Sequence, residues 1–89
     1  MKQIIFTKRA EKFLEKLDKS DKNLSYEMAL ELKVLRVDPL NSKVKKIVRS
    51  DSLYRVRVGK YRIIYRFDSE LIHILNIAKR EDVYDFLKN

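Results

Sequence analysis

Three consecutive apolar residues, Ile4, Ile5 and Phe6, open the chain and predict a short strand over Lys2 to Thr7. The Thr7 hydroxyl can accept a backbone N–H and cap a following helix. Ala10, Phe13, Leu14 and Leu17 then recur at i, i+3, i+4 and i+7, the apolar stripe of an amphipathic helix ending near Ser20. Ser20 or Asp21 restarts the chain into a second helix, with the stripe Leu24, Met28, Leu32 and Leu35. That helix must stop by Val37, because the residue before Pro39 is pushed out of the helical region. Two antiparallel helices joined by a few residues form a hairpin.

Past Pro39 the apolar period changes from 3.6 to 2. Lys43 to Arg49, Leu53 to Val58, Tyr61 to Asp68 and Leu71 to Ala78 each predict a strand, separated by turn residues at Ser50-Asp51-Ser52, Gly59-Lys60 and Asp68-Ser69-Glu70. Glu81 to Lys88 predicts a closing helical turn. The order implies an α+β fold in which an N-terminal strand and helical hairpin pack on one face of a mostly antiparallel, twisted β-sheet. With one Gly and one Pro in 89 residues, the chain has no linker-like stretch and reads as a single domain over residues 1–89.

Within YRVRVGKYRIIYRF (residues 54–67) the alternation sorts side chains onto two faces. Tyr54, Val56 and Val58 fall on one side of the first strand, with Leu53, Arg55 and Arg57 on the other. The second strand sets Tyr61, Ile63, Tyr65 and Phe67 against Arg62 and Arg66. Tyr54, Tyr61 and Tyr65 therefore read as packing residues. Continued along the last strand, the count groups His73 with Leu71, Leu75 and Ile77, while Ile72, Ile74 and Asn76 lead toward Arg80. His73 is the sole histidine and the default acid-base group; its parity predicts a structural role, so that its loss would loosen the fold.

Charge sharpens this picture. Residues 43–66 hold nine cations (Lys43, Lys45, Lys46, Arg49, Arg55, Arg57, Lys60, Arg62 and Arg66) against one anion, Asp51, and so account for the whole formal charge of +8. A surplus concentrated in one segment makes a field that attracts a polyanion. The chain has no cysteine, which removes disulfides and thiolate chemistry. Neither a signal-peptide core nor a membrane span fits the sequence, so a soluble, cytoplasmic protein is expected. Glycine-rich phosphate loops, metal-ligand spacings and Ser-His-Asp sets are missing, and no cofactor or metal is implied.

The helical hairpin, the YRVRVGKYRIIYRF segment and the hydrophobic strand running into AKREDVYDFL (residues 78–87) together resemble the RelE/ParE superfamily of toxins from toxin-antitoxin systems. The KR followed by VY near the end is closest to the RelE-like branch, the ribosome-dependent mRNA interferases. The resemblance implies a metal-independent endoribonuclease that cleaves mRNA in the ribosomal A site and is silenced by a RelB-like antitoxin wrapped around it. It carries over the two hairpin cations as Arg55 and Arg57, the arginine after the hairpin tyrosine as Arg62, the arginine after the last strand as Arg80, and the base-stacking tyrosine as Tyr84. Where well-studied members have lysines at the hairpin cation positions, this chain has arginines, and its Arg80 to Tyr84 spacing is shorter. A ParE-like gyrase poison and a catalytically inactive RNA- or ribosome-binding member are the competing readings.

The chemistry is consistent with arginines. When a ribose 2′-hydroxyl attacks the adjacent phosphate, the catalyst must accept one proton, donate another and stabilise charge on phosphorus. Guanidinium groups serve the last task through two N–H donors and a permanent charge, and serve poorly as bases. Arg55, Arg57, Arg62 and Arg80 are therefore assigned to phosphate binding and transition-state stabilisation, with Lys43, Lys45, Lys46, Arg49, Lys60 and Lys79 as further RNA-binding cations. The general base stays unassigned. Tyr84 is divided between stacking on a nucleobase and pinning the C-terminus.

Overall fold

The computed structural model describes residues 1–48, 50 and 52–79. Its elements are β1 (Gln3–Phe6), α1 (Lys8–Ser20), α2 (Lys22–Val37), β2 (Lys45–Lys46), β3 (Tyr54–Val58), β4 (Tyr61–Phe67) and β5 (Leu71–Lys79). They form a five-stranded sheet in the order β1-β5-β4-β3-β2. The four later strands make an antiparallel meander, and β1 joins its β5 edge in parallel. The α1-α2 hairpin covers one face, so the predicted α+β class is the one observed, with β1 inside the sheet as its parallel edge strand and not packed on its face.

Capping sets the helix boundaries. Thr7 accepts the Ala10 N–H at the start of α1, and the Asp21 carboxylate accepts the Leu24 N–H at the start of α2. Ala10, Leu17, Met28, Leu32 and Leu35 from the helices are buried against Val56, Val58, Ile63, Tyr65, Ile72, Ile74 and Ile77 from the sheet. Phe13 meets Tyr61 edge-on, with ring centroids 5.1 Å apart. The Tyr65 hydroxyl donates to the Pro39 carbonyl at 2.5 Å, anchoring the segment that follows α2. All three hairpin tyrosines pack on the helix side, as their parity predicts.

The hairpin between β3 and β4 closes with Val58 opposite Tyr61, leaving Gly59 and Lys60 as a two-residue loop. Gly59 has φ +60° and is the only described residue with positive φ, the signature of a type II′ turn with glycine first. A Cβ there would also lie 3.3 Å from Leu24 Cδ1.

One expectation is overturned. Ile64 pairs with Asn76, but Tyr65 pairs with Ile74, so Leu75 is an extra residue in β5. This bulge reverses the parity of the strand at its middle. Ile72, Ile74 and Ile77 all reach the helix side despite their uneven spacing, and His73 lies opposite Arg66 on the other face. His73 is thus not a core residue, and the expectation that its loss mainly loosens the fold falls with that placement. The strand forecast over Lys43 to Arg49 also shortens to Lys45–Lys46, because Lys43 turns toward α2, 3.7 Å from the Glu31 carboxylate. The helical turn expected over Glu81 to Lys88 lies outside the described residues.

Thr7 ties the bulge to the helical layer. Its hydroxyl accepts from Ala10 N–H at 3.2 Å and donates to the Leu75 carbonyl at 2.7 Å, while its own N–H donates to Ile74. Thr7→Val keeps the shape and removes both side-chain bonds. It should lower stability by about 1–3 kcal/mol, measured by denaturant unfolding. An unchanged midpoint would show that neither bond contributes.

Candidate functional site

Strand register assembles the arginines. Arg57 lies directly opposite Arg62, which in turn lies opposite Ala78, and Arg55 lies opposite Ile64 and Lys45. Lys45, Arg55, Arg57, Arg62, Arg66 and His73 consequently occupy the sheet face turned away from the helices. The Arg57 Nε donates to the Gly59 carbonyl at 2.8 Å, which orients its guanidinium beside the turn. Arg55 and Arg62 are half-buried and also make contacts within the chain.

The Arg57/Arg62 juxtaposition concentrates positive charge at one place on this face, where an anion can bridge both strands. This face is not uniformly wet, because Ile64 is fully buried and Asn76 nearly so at its centre. The cations accordingly sit around a closed middle, with Arg57 and Arg62 near the hairpin turn and Arg66 toward the opposite end.

The lysines divide differently. Lys46 pairs with Tyr54 and Lys79 with Tyr61, so both belong by register to the helix side. Lys43 is engaged by Glu31, whose side chain is 8% exposed and whose Oε1 has no hydrogen-bond partner among the described residues. Lys60 is exposed in the hairpin turn. Arg49, Arg80 and Tyr84 lie outside the described residues. Among the described residues no group of three or more His, Asp or Glu side chains is arranged to hold a metal ion.

The sequence reading missed Glu31 and set His73 on the wrong face. Glu31 is buried within the α2 stripe, three residues after Met28 and four before Leu35, a spacing that could have flagged it. His73 escaped because a bulge with no glycine or proline leaves no mark in the alternation. Burial chiefly, with Glu31, Tyr54 and Asp38 adding to it, pushes the Tyr65 phenol well above its usual range. Tyr65 remains a neutral donor to Pro39 and has no acid-base part on the arginine face.

With this geometry, the chain matches the model of the ParE toxin of type II toxin-antitoxin systems over residues 4–84. It is 34% identical over 79 residues to a relative named as a toxin, RelE1 of Methanocaldococcus jannaschii, covering 86% of this chain and 88% of that one. Among solved structures, the archaeal RelE-RelB complex from Pyrococcus horikoshii superimposes with a TM-score of 0.72 at 26% identity, over 89% of this chain and 94% of the other. A RelB-RelE antitoxin-toxin complex from Methanococcus jannaschii gives 0.68 at 25% identity, over 92% and 96%.

Proposed function

Because the chain belongs to the ParE toxin family of type II toxin-antitoxin systems, within the RelE/ParE superfamily, we propose that it is a toxin that cleaves mRNA on the ribosome and thereby stops translation. The observation that carries this reading is the Arg57/Arg62 pair, opposed in register on the face away from the helices. Two guanidiniums so held suit a phosphate that gains negative charge. The 2′-oxygen attacks phosphorus as its proton leaves, the bond to the 5′-oxygen breaks as that oxygen gains a proton, and a 2′,3′-cyclic phosphate and a 5′-hydroxyl result. Arg55, Arg57, Arg62 and Arg80 stabilise the charge on the phosphoryl oxygens. Tyr84 stacks on a base. The proton acceptor is left to the ribosome or the RNA, since Lys46 and Lys79 belong by register to the helix side.

By the same reading an antitoxin of the RelB kind neutralises the protein. The two solved relatives described above are toxin-antitoxin complexes, and an acidic, amphipathic segment complements the surplus of cations.

Primer-extension mapping of mRNA 5′ ends after brief induction tests the nuclease reading. New ends at fixed positions within codons are expected, together with an early halt in protein synthesis. The family model that matches is named for ParE, so the competing outcome is gyrase poisoning. DNA breaks that precede any translational arrest, with no new mRNA ends, would establish that alternative and overturn the nuclease.

A further inference from the structure

At the far end of the arginine face, four residues along β4 from Arg62, Arg66 stands opposite His73 of β5, and His73 stands opposite Ile5 of β1. At about 3.3 Å per residue, this group lies roughly 13 Å from Arg62 along the strand. Fully buried Ile64 separates the two ends. They are two distinct positions, not one stripe.

Arg66 is exposed and has no hydrogen-bond or ion-pair partner among the described residues. Asp68, two residues further along the chain in the β4-β5 turn, is already engaged. Its carboxylate accepts the N–H groups of Glu70 and Leu71, both at 2.8 Å, and these bonds, with smaller help from Lys2 and His73, hold it below the usual carboxylate range. Across the strand pair from Arg66 lies the half-buried imidazole of His73, and beyond it on β1 the Ile5 side chain, 40% exposed.

We propose that Arg66, His73 and Ile5 form a second subsite for single-stranded RNA, in which Arg66 holds the phosphate of a nucleotide flanking the cleaved step and His73 with Ile5 receives its base. The assignment rests on reading the arginine face as an RNA surface. An acidic peptide would need only the cation, whereas a guanidinium beside a flat ring and an exposed aliphatic group offers both a phosphate contact and a stacking platform. Cross-strand register fixes all three side chains on one face, so the subsite is built into the sheet.

The test is fluorescence anisotropy of the full chain with a labelled 2′-O-methyl RNA strand, which cannot undergo 2′-hydroxyl attack, across a salt series. Arg66→Ala should weaken binding about five- to tenfold and reduce the slope of log affinity against log salt by roughly 0.7, the share of one phosphate on a single strand. His73→Ala should weaken binding about five- to a hundredfold, and His73→Phe, which keeps a flat ring, should recover most of that loss. A strand of abasic sugars should respond to Arg66→Ala but not to His73→Ala. Thermal melts confirm that each variant is folded. Unchanged affinity and slope in Arg66→Ala would overturn the proposal, as would an Arg66→Ala defect seen only with an acidic antitoxin segment. Failure of His73→Phe to recover binding in a protein that melts like the parent would overturn the base platform. If Arg66→Ala weakens RNA binding while induced cells show no new mRNA ends, the nuclease reading fails and the subsite stands as a nucleotide-binding position with no cleaved step beside it.

Discussion

Arg62→Ala should reduce mRNA cleavage by a factor on the order of a hundred to a thousand, while the protein still folds. The loss follows from position. Arg62 lies between Arg57 on β3 and Ala78 on β5, within reach of an anion that both hairpin arginines would share. A donor aimed at charge that develops only in the transition state is typically worth about 2.7–4 kcal/mol. The fold loses much less, because Arg62 lies on the sheet face turned away from the helices and is not part of the core. Arg62→Lys should recover only part of the activity, since an ammonium keeps the charge and loses the two-pronged grip. Arg80→Ala should cause a loss of the same order, an expectation that rests on the family motif. Primer-extension yield per folded protein is the readout, and full cleavage by Arg62→Ala would remove the proposed mechanism.

Tyr65→Ala should act through stability instead, costing about 3–5 kcal/mol. Its ring is fully buried, and neighbours Tyr54 and Phe67 at centroid distances of 6.0 and 6.3 Å. A domain this small has only about 5–15 kcal/mol in hand, so the loss removes a large share of its stability and should show as a much lower denaturant midpoint. Tyr65→Phe retains the ring and loses only the bond to Pro39, for about 1 kcal/mol. Ionisation gives a second signature. The folded phenol holds its proton above the ordinary tyrosine value of about 10, so its contribution is intact below about pH 10 and is lost as pH rises beyond it. Tyr65→Phe should flatten that alkaline decline in denaturant midpoints, and an unaltered decline would assign it to another group.

Much of this architecture was legible in the sequence where the period ran unbroken. Thr7 and Asp21 cap the two helices as their side-chain chemistry suggests, and YRVRVGKYRIIYRF sorts arginines from tyrosines because β3 and β4 meet without irregularity. The reading failed on β5, where the extra residue Leu75 has the same apolar character as its neighbours. Alternation from either end is then correct for only half the strand. It failed again on the lysines, since adjacent residues such as Lys45 and Lys46 must face opposite ways however useful both charges look. Glu31 exposes a further limit. A segment's formal charge overstates its field when one of its cations, here Lys43, is drawn to a buried acid on another element.

Gly59 makes the toxin vulnerable in a way that its charges do not reveal. Any other residue must adopt a backbone conformation disfavoured by its Cβ and crowd Leu24, and the easiest relief is a longer or slipped turn. A slip of one residue in β4 would exchange the tyrosine and arginine faces. Genetic selection for cells that survive the unneutralised toxin should therefore recover lesions at the single glycine codon alongside those in the arginine codons, yielding full-length protein with every cation present and none of the harm.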